Sequence, residues 1–292
     1  MRRVQHPPAL PLVGAGAVSV QFGAALATKL FDRVGPVGAV TLRLVIAAII
    51  LAALAFLLRP RLTPQRIPPA DLRVAVAFGL VLAAMNLSFY EAIDRIPLGV
   101  AVTLEFSGPV AVALAGSRRW TDAVWALLAA TGVALLATGT GSGLDPAGVG
   151  LALLSGACWA GYILLNKQTG QRFTARHGLG IAMVVGALAI LPAGIVVGGG
   201  RLFAPAVLGL GAVVAVLSSV VPYTLELLAL RGVTPRAFGV MLSLDPAIAS
   251  AAGFAVLGQH LSGREWAALG LVMAANLGNS LSGRSSVVAT SP

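Results

Sequence analysis

Apolar residues in this chain run in long blocks, broken at short intervals by charge, proline and glycine, with little alternation of apolar and polar positions. Bounding the blocks at those breaks gives ten spans. In the first part they lie near Pro11–Thr28, Val37–Leu58, Leu72–Ile93, Leu98–Gly116 and Asp122–Thr138. They continue near Ala147–Asn166, Leu179–Val197, Pro205–Leu230, Ala237–Leu257 and Trp266–Leu281. Each has about the length a helix needs to cross a ~30 Å hydrocarbon core. The joining segments are short, so neighbouring helices form antiparallel hairpins. The expected fold is an all-α integral membrane protein of ten transmembrane helices, with nothing left over for a soluble domain.

The spans fall into two matching groups of five. Gly23 and Lys29 recur as Gly161 and Lys167, 138 residues on, while Ala92, Pro109 and Gly116 recur as Ala229, Pro246 and Gly253, 137 on. After a four-residue insertion, Thr121-x-x-x-Trp125 recurs as Ser262-x-x-x-Trp266. Small residues recur by chance in so apolar a chain, and it is the near-constant offset that marks a repeat. Residues 1–143 form the first five-helix half, ending in Gly139-Thr-Gly-Ser-Gly143, and residues 144–292 the second. An odd number of spans per half makes the halves cross the membrane in opposite senses. Inverted repeats of this kind build alternating-access transporters.

Charge changes the picture by fixing orientation. Apolar residues make up 58% of the chain and charged residues only 10%, against roughly 25% charged in a soluble domain. A net charge of +10 would point to a polyanionic partner in a soluble protein. With the N-terminus in the cytoplasm, however, 14 of the 20 basic residues fall inside and five outside, with Arg43 within a span. That is the bias of positive-inside topology, and it needs no nucleic-acid partner. Both termini are expected to be cytoplasmic, and the first apolar run is expected to belong to the bundle, not to a cleaved leader. Cys158 is the sole cysteine, and His6, His177 and His260 lack metal-ligand spacing. There is no phosphate-binding glycine loop and no Ser/His/Asp set. The expectation is a carrier rather than an enzyme, with no cofactor and no metal.

In such a chain, a charge inside the bilayer is the functional signal, because each costs about 2.5–3.5 kcal/mol at mid-span. Six of the ten acids lie in loops or at their edges, and Glu91 sits about a turn from the end of span three. Glu105, Glu226 and Asp245 remain. Glu105 and Asp245 lie near the middle of spans four and nine, the equivalent helices of the two halves. In the repeat frame Asp245 corresponds to position 108, three residues from Glu105 and so on nearly the same helical face. Each precedes a proline, Pro109 or Pro246, which removes a backbone hydrogen bond and can open the helix. Helices interrupted at equivalent positions point to a transporter's binding site. Burial among apolar groups disfavours the charged form of a carboxyl, so such an acid can exchange a proton for a cationic substrate group. The alternative is structural: Asp245 caps a helix break and Glu105 pairs with Arg43.

Spans three and eight add a second matched set. Asn86 occupies the repeat position of Tyr223, and Phe89 that of Glu226. Pro222 kinks span eight just before them and frees a backbone carbonyl. Asn86, Ser88 and Tyr90 are candidates for the facing wall. Glu226 either serves the site or snorkels towards the surface near Arg231. Arg43 either clamps a substrate carboxylate or partners a buried acid. Gly14, Gly16, Gly23, Gly156 and Gly161 suit close helix packing. Trp120, Trp125 and Trp266 read as interfacial anchors, and Ser218-Ser219 as hydroxyls bonding back to their own helix.

Two stretches carry a family resemblance. Asn86-Leu-Ser-Phe-Tyr-Glu-Ala-Ile-Asp-Arg-Ile-Pro-Leu-Gly99, with Ala101-Val-Thr-Leu-Glu-Phe-Ser-Gly-Pro109 after it, resembles the threonine/homoserine exporter branch of the EamA-type drug/metabolite transporters. So does Ser218-Ser-Val-Val-Pro-Tyr-Thr-Leu-Glu-Leu-Leu-Ala-Leu230, followed by Arg236-Ala-Phe-Gly-Val-Met-Leu-Ser-Leu-Asp-Pro246. The resemblance implies an inner-membrane bacterial exporter of small neutral amino acids, with Glu105, Tyr223, Glu226 and the acid at 245 at or near a central cavity; the buried acids add the expectation of proton-coupled or gradient-driven alternating access. It also leaves open a metabolite or cationic drug as cargo, and more remotely a membrane scaffold or lipid-handling role. Two departures stand out. The family commonly has Glu where this chain has Asp245, and Gly-Glu where it reads Gly258-Gln259.

The charge bias makes a direct prediction about topology. A fluorescent protein fused after residue 292 should light up in the cytoplasm, and a phosphatase inserted after Gly143 should be active on the far side of the membrane. The reverse pattern contradicts the assigned orientation.

Overall fold

The computed structural model describes residues 9–58, 68–115, 120–137, 144–172, 175–222, 224–225 and 235–282, and these form helices and turns without a strand. The helices are α1 (Ala9–Ala27), α2 (Phe31–Leu58), α3 (Pro69–Ile93), α4 (Leu98–Glu105), α5 (Ser107–Ala115) and α6 (Trp120–Ala137). They continue with α7 (Pro146–Arg172), α8 (Ala175–Gly198), α9 (Pro205–Ala215), α10 (Pro235–Leu242), α11 (Asp245–Leu257) and α12 (Gly263–Ser282). Every span read from the sequence carries helix. Five segments are long and apolar enough to cross a bilayer: 11–54, 69–93, 146–169, 180–203 and 239–257. Exposed Ile49, Leu127, Leu188, Val196 and Phe254 give the bundle a greasy exterior, as a lipid-facing surface requires. The protein spans the membrane.

Local chemistry explains the ends. Pro69, Pro146 and Pro205 open their helices at first-turn positions, where a missing N–H leaves no gap. Gly35 adopts φ 69° directly before Pro36 and turns the chain into the long arm of α2. At α12, Ser262-x-x-Glu265 forms a capping box. The Ser262 N–H donates to Glu265 Oε2 at 2.6 Å, and the Glu265 N–H donates to Ser262 Oγ at 3.3 Å.

Spans four and nine are each broken in two. Span four parts at Phe106, between α4 and α5, and span nine at Ser243-Leu244, between α10 and α11. Adding the 137-residue offset to Phe106 gives 243, so the breaks are repeat-equivalent. Pro109 lacks the N–H that would bond the Glu105 carbonyl, and Pro246 the one for Leu242.

Around the breaks, α3 packs between α7 and α8, α2 lies on α8 and α9, α6 pairs with α12, and α4 meets both α7 and α11. The α4–α11 contact joins the halves at one end of the bundle, called here the upper end. There Gly99 has no room for a Cβ because Ser250 fills the space, and the Leu98 N–H donates to Gln259 Oε1 at 3.0 Å. Arg264 Nε donates to the Leu135 carbonyl at 2.8 Å, and Arg95 pairs with Glu91 at 3.0 Å and Asp145 at 3.9 Å. The repeat counterpart of the α4–α11 contact is α10 with α5. In that place the structure has a small cavity lined by Phe106, Pro109, Val110, Gly239 and Leu242, and by Asn276, Asn279 and Ser280 of α12.

Of the packing glycines, Gly156 and Gly23 sit at tight crossings, against Glu105 and Ser218, while Gly16 and Gly161 meet only ordinary contacts. Trp125 lies across Gly278 of α12, whereas Trp266 stands 53% exposed.

The tightest crossing makes a stability prediction. A Cβ on Gly156 would lie 2.7 Å from the Glu105 carbonyl oxygen, whereas one on Gly150 meets nothing within 4 Å. Gly156→Val should destabilise by about 1–3 kcal/mol through overpacking. Gly150→Ala should be neutral or gain up to about 1 kcal/mol. Thermal unfolding in detergent checks both.

Candidate functional site

The two helix breaks place the central acids. Glu105 is the last residue of α4 and Asp245 the first of α11, so each stands where its span opens. Glu105 is half-buried. Its Oε1 accepts a 2.6 Å hydrogen bond from Ser155 Oγ of α7, a hydroxyl that also lies 3.0 Å from the Met85 carbonyl of α3. Ser155 is fully buried and belongs to the second half, so this bond ties the halves together at the break. Phe106, at the break itself, packs edge-on against Trp159 with ring centroids 4.9 Å apart. Asp245 is buried.

Arg43 forms a second centre. Its Nε donates to Ser219 Oγ at 3.2 Å, Nη1 to the Tyr90 hydroxyl at 3.4 Å and Nη2 to the Ser218 carbonyl at 3.0 Å. The guanidinium also lies 5.6 Å from the centroid of the Tyr90 ring. The reason is in span eight. Residues Val216–Val220 form a π turn, and Pro222, lacking an N–H, leaves the Ser218 carbonyl open to an outside donor. The neighbouring Leu217 carbonyl is taken by Ser19 Oγ at 2.7 Å.

These contacts revise several sequence expectations. Arg43 braces α2 to α3 and span eight, and no ion pair within 4.0 Å joins it to an acid among the described residues. Ser219 Oγ accepts from Arg43, and no bond from it back to its own helix is seen among the described residues. Tyr90 is fully buried, beside Phe31 at 5.8 Å, and acts as part of the brace. Asn86 and Ser88 do turn back on α3, Asn86 Nδ2 to the Leu82 carbonyl at 2.8 Å and Ser88 Oγ to the Ala84 carbonyl at 2.7 Å. Tyr223 and Glu226 lie outside the described residues. Ser155, Trp159 and Asn276 were missed. The available signal for Ser155 was its place beside Gly156, since a small polar residue next to a packing glycine falls on a helix crossing.

Comparison with known proteins settles the family. The model of the EamA-like transporter family matches twice, over residues 8–138 and 146–281. The chain belongs to the EamA-like transporter family. Among similar proteins, the threonine/homoserine exporter RhtA of Salmonella typhimurium strain LT2 is 42% identical over 269 residues, 90% of this chain and 88% of that protein. RhtA of Escherichia coli K12 is 42% identical over 272 residues, covering 91% and 89%. The uncharacterized inner membrane transporter YedA of Escherichia coli K12 is 28% identical over 287 residues, covering 90% and 89%. A protein crystal structure shares the fold with a TM-score of 0.60 at 21% identity, over 95% of this chain and 97% of that one.

The brace in this EamA-like transporter predicts a graded series. Tyr90→Phe removes one hydrogen bond and should cost about 0.5–1.5 kcal/mol, while Arg43→Gln strands the buried Ser218 carbonyl and should cost about 1–3 kcal/mol or more. Melting temperatures of the two purified variants, compared with wild type, check the order.

Proposed function

We propose that this protein exports small neutral amino acids of the threonine and homoserine kind across the cytoplasmic membrane, by proton-coupled alternating access. In this reading ten helices cross the membrane, residues 1–143 and 144–292 form inverted repeats, and both termini are cytoplasmic. Support for the cargo comes from 42% identity to threonine/homoserine exporters over nine-tenths of the chain. Support for the mechanism comes from one observation above all, the equivalent breaks in spans four and nine with an acid at each.

The geometry suits a carrier. The upper end, with Leu98 bonded to Gln259 and Gly99 against Ser250, faces away from the cytoplasm in this topology and is closed. The cavity at the opposite pairing, α5 with α10, belongs to the inward side. Exchange of the two repeats' arrangements would close α5 on α10 and part α4 from α11, opening the outer face. An acid beside each break can release its proton to accept a substrate ammonium and recover a proton when the ammonium leaves. Solute and proton therefore move in opposite directions through one site.

Expression in a cell line lacking its own threonine export tests this reading. Wild type should restore growth under excess threonine or homoserine, and Glu105→Gln should lose at least tenfold of that protection at unchanged membrane abundance. Protection undiminished in Glu105→Gln removes Glu105 from the mechanism, and no protection by wild type overturns the cargo.

A further inference from the structure

Span ten carries polar groups that neither the family resemblance nor the acids at the breaks employ. Asn276, Asn279 and Ser280 of α12 face the start of α5, at Phe106, Pro109 and Val110, and the end of α10, at Gly239 and Leu242, across one small cavity. Asn276 is only 9% exposed, and its Nδ2 has no hydrogen-bond partner among the described residues. An amide NH2 has two hydrogens to donate and no acceptor capacity of its own. Burying it unmatched is costly unless something else supplies the acceptor.

Position says what that something is. Phe106 directly follows Glu105, and Leu242 precedes Asp245 by three residues, so the cavity adjoins both helix breaks. A zwitterionic amino acid whose ammonium sits at one of those acids has its carboxylate a few ångströms away. That carboxylate needs donors, and the sequence's candidate, Arg43, already has three of its five N–H groups engaged by Ser219, Tyr90 and the Ser218 carbonyl. A carboxylate presents acceptors alone and so answers a buried amide N–H that has no partner among the described residues. A neutral amide also avoids ion-pairing with Glu105 or Asp245, which a second cation at this place would do.

We infer that the cavity between the two broken spans is the subsite for the α-carboxylate of the substrate, with the Asn276 amide as its donor. This assignment rests on the amino-acid reading above and names the group that completes it. Asn279 and Ser280 line the same wall and complete its polar side.

Threonine transport by purified, reconstituted protein tests it through three substitutions at one position. Asn276→Asp keeps the size and replaces the amide with a carboxyl, and should raise KM for threonine at least tenfold. Asn276→Gln is bulkier but keeps the donor, and should stay within about threefold of wild type. Asn276→Ala should fall between them. A merely structural asparagine gives the opposite order, with the larger Gln worse than the isosteric Asp, and that order overturns the subsite. Equal KM in all three also overturns it, leaving a cavity that holds water only. Wild type that moves no threonine at all overturns the amino-acid reading itself, and the subsite with it. Normal melting temperatures certify that each variant is folded.

Discussion

Main-chain polar groups have no water to bond with in hydrocarbon, so each must find a partner inside the protein. Proline makes this demand acute, because every proline inside a span releases the carbonyl four residues earlier. Around the centre of the protein, each such release coincides with a specialised contact. Pro222 frees the Ser218 carbonyl, which Arg43 takes up. Pro109 frees the Glu105 carbonyl, which lies against Gly156 at the closest crossing. Pro246 frees Leu242, whose residue lines the cavity facing Asn276. Irregular backbone is tolerated at membrane depth only where protein or a polar cavity surrounds it, and that is where these breaks lie.

From this constraint follows a division of labour. Arg43, Tyr90, Ser218 and Ser219 hold span eight against α2 and α3 as a fixed post, using every nitrogen of the guanidinium. Spans four and nine, each cut at its middle, have two short arms in place of one stiff rod. The upper arms, α4 and α11, are pressed together, with Ser250 in the hollow of Gly99. The lower arms, α5 and α10, stand around a cavity. Two such arrangements related by the repeat are what a carrier needs to expose one site to each side in turn. Glu105 and Asp245 stand at the two junctions, where the proposed mechanism needs its acids.

Much of this was legible in the chain. Helical spans show as long apolar blocks, because the bilayer demands them, and the breaks show as prolines at matching offsets beside Glu105 and Asp245. The role of Arg43 was not legible. A mid-span arginine announces a partner of some kind, yet only the fold reveals that the partner is a carbonyl exposed by Pro222 and the π turn of Val216–Val220. Gln259 looked like a lost charge relative to the family, and in the folded protein its carbonyl caps the first turn of α4 from the other half. Ser155 and Asn276 were invisible for a common reason: a neutral side chain in an apolar helix carries no cost large enough to mark it until its neighbours across the bundle are known.

The central claim is that amino acid and proton pass in opposite senses through the site at the two breaks. Labelled-threonine flux in liposomes under an imposed pH gradient tests it most directly. The account predicts saturable uptake into liposomes that are acidic inside, collapsing when an ionophore removes the gradient and blocked by excess homoserine. Flux that is indifferent to the gradient, or none from folded protein in both orientations, contradicts it.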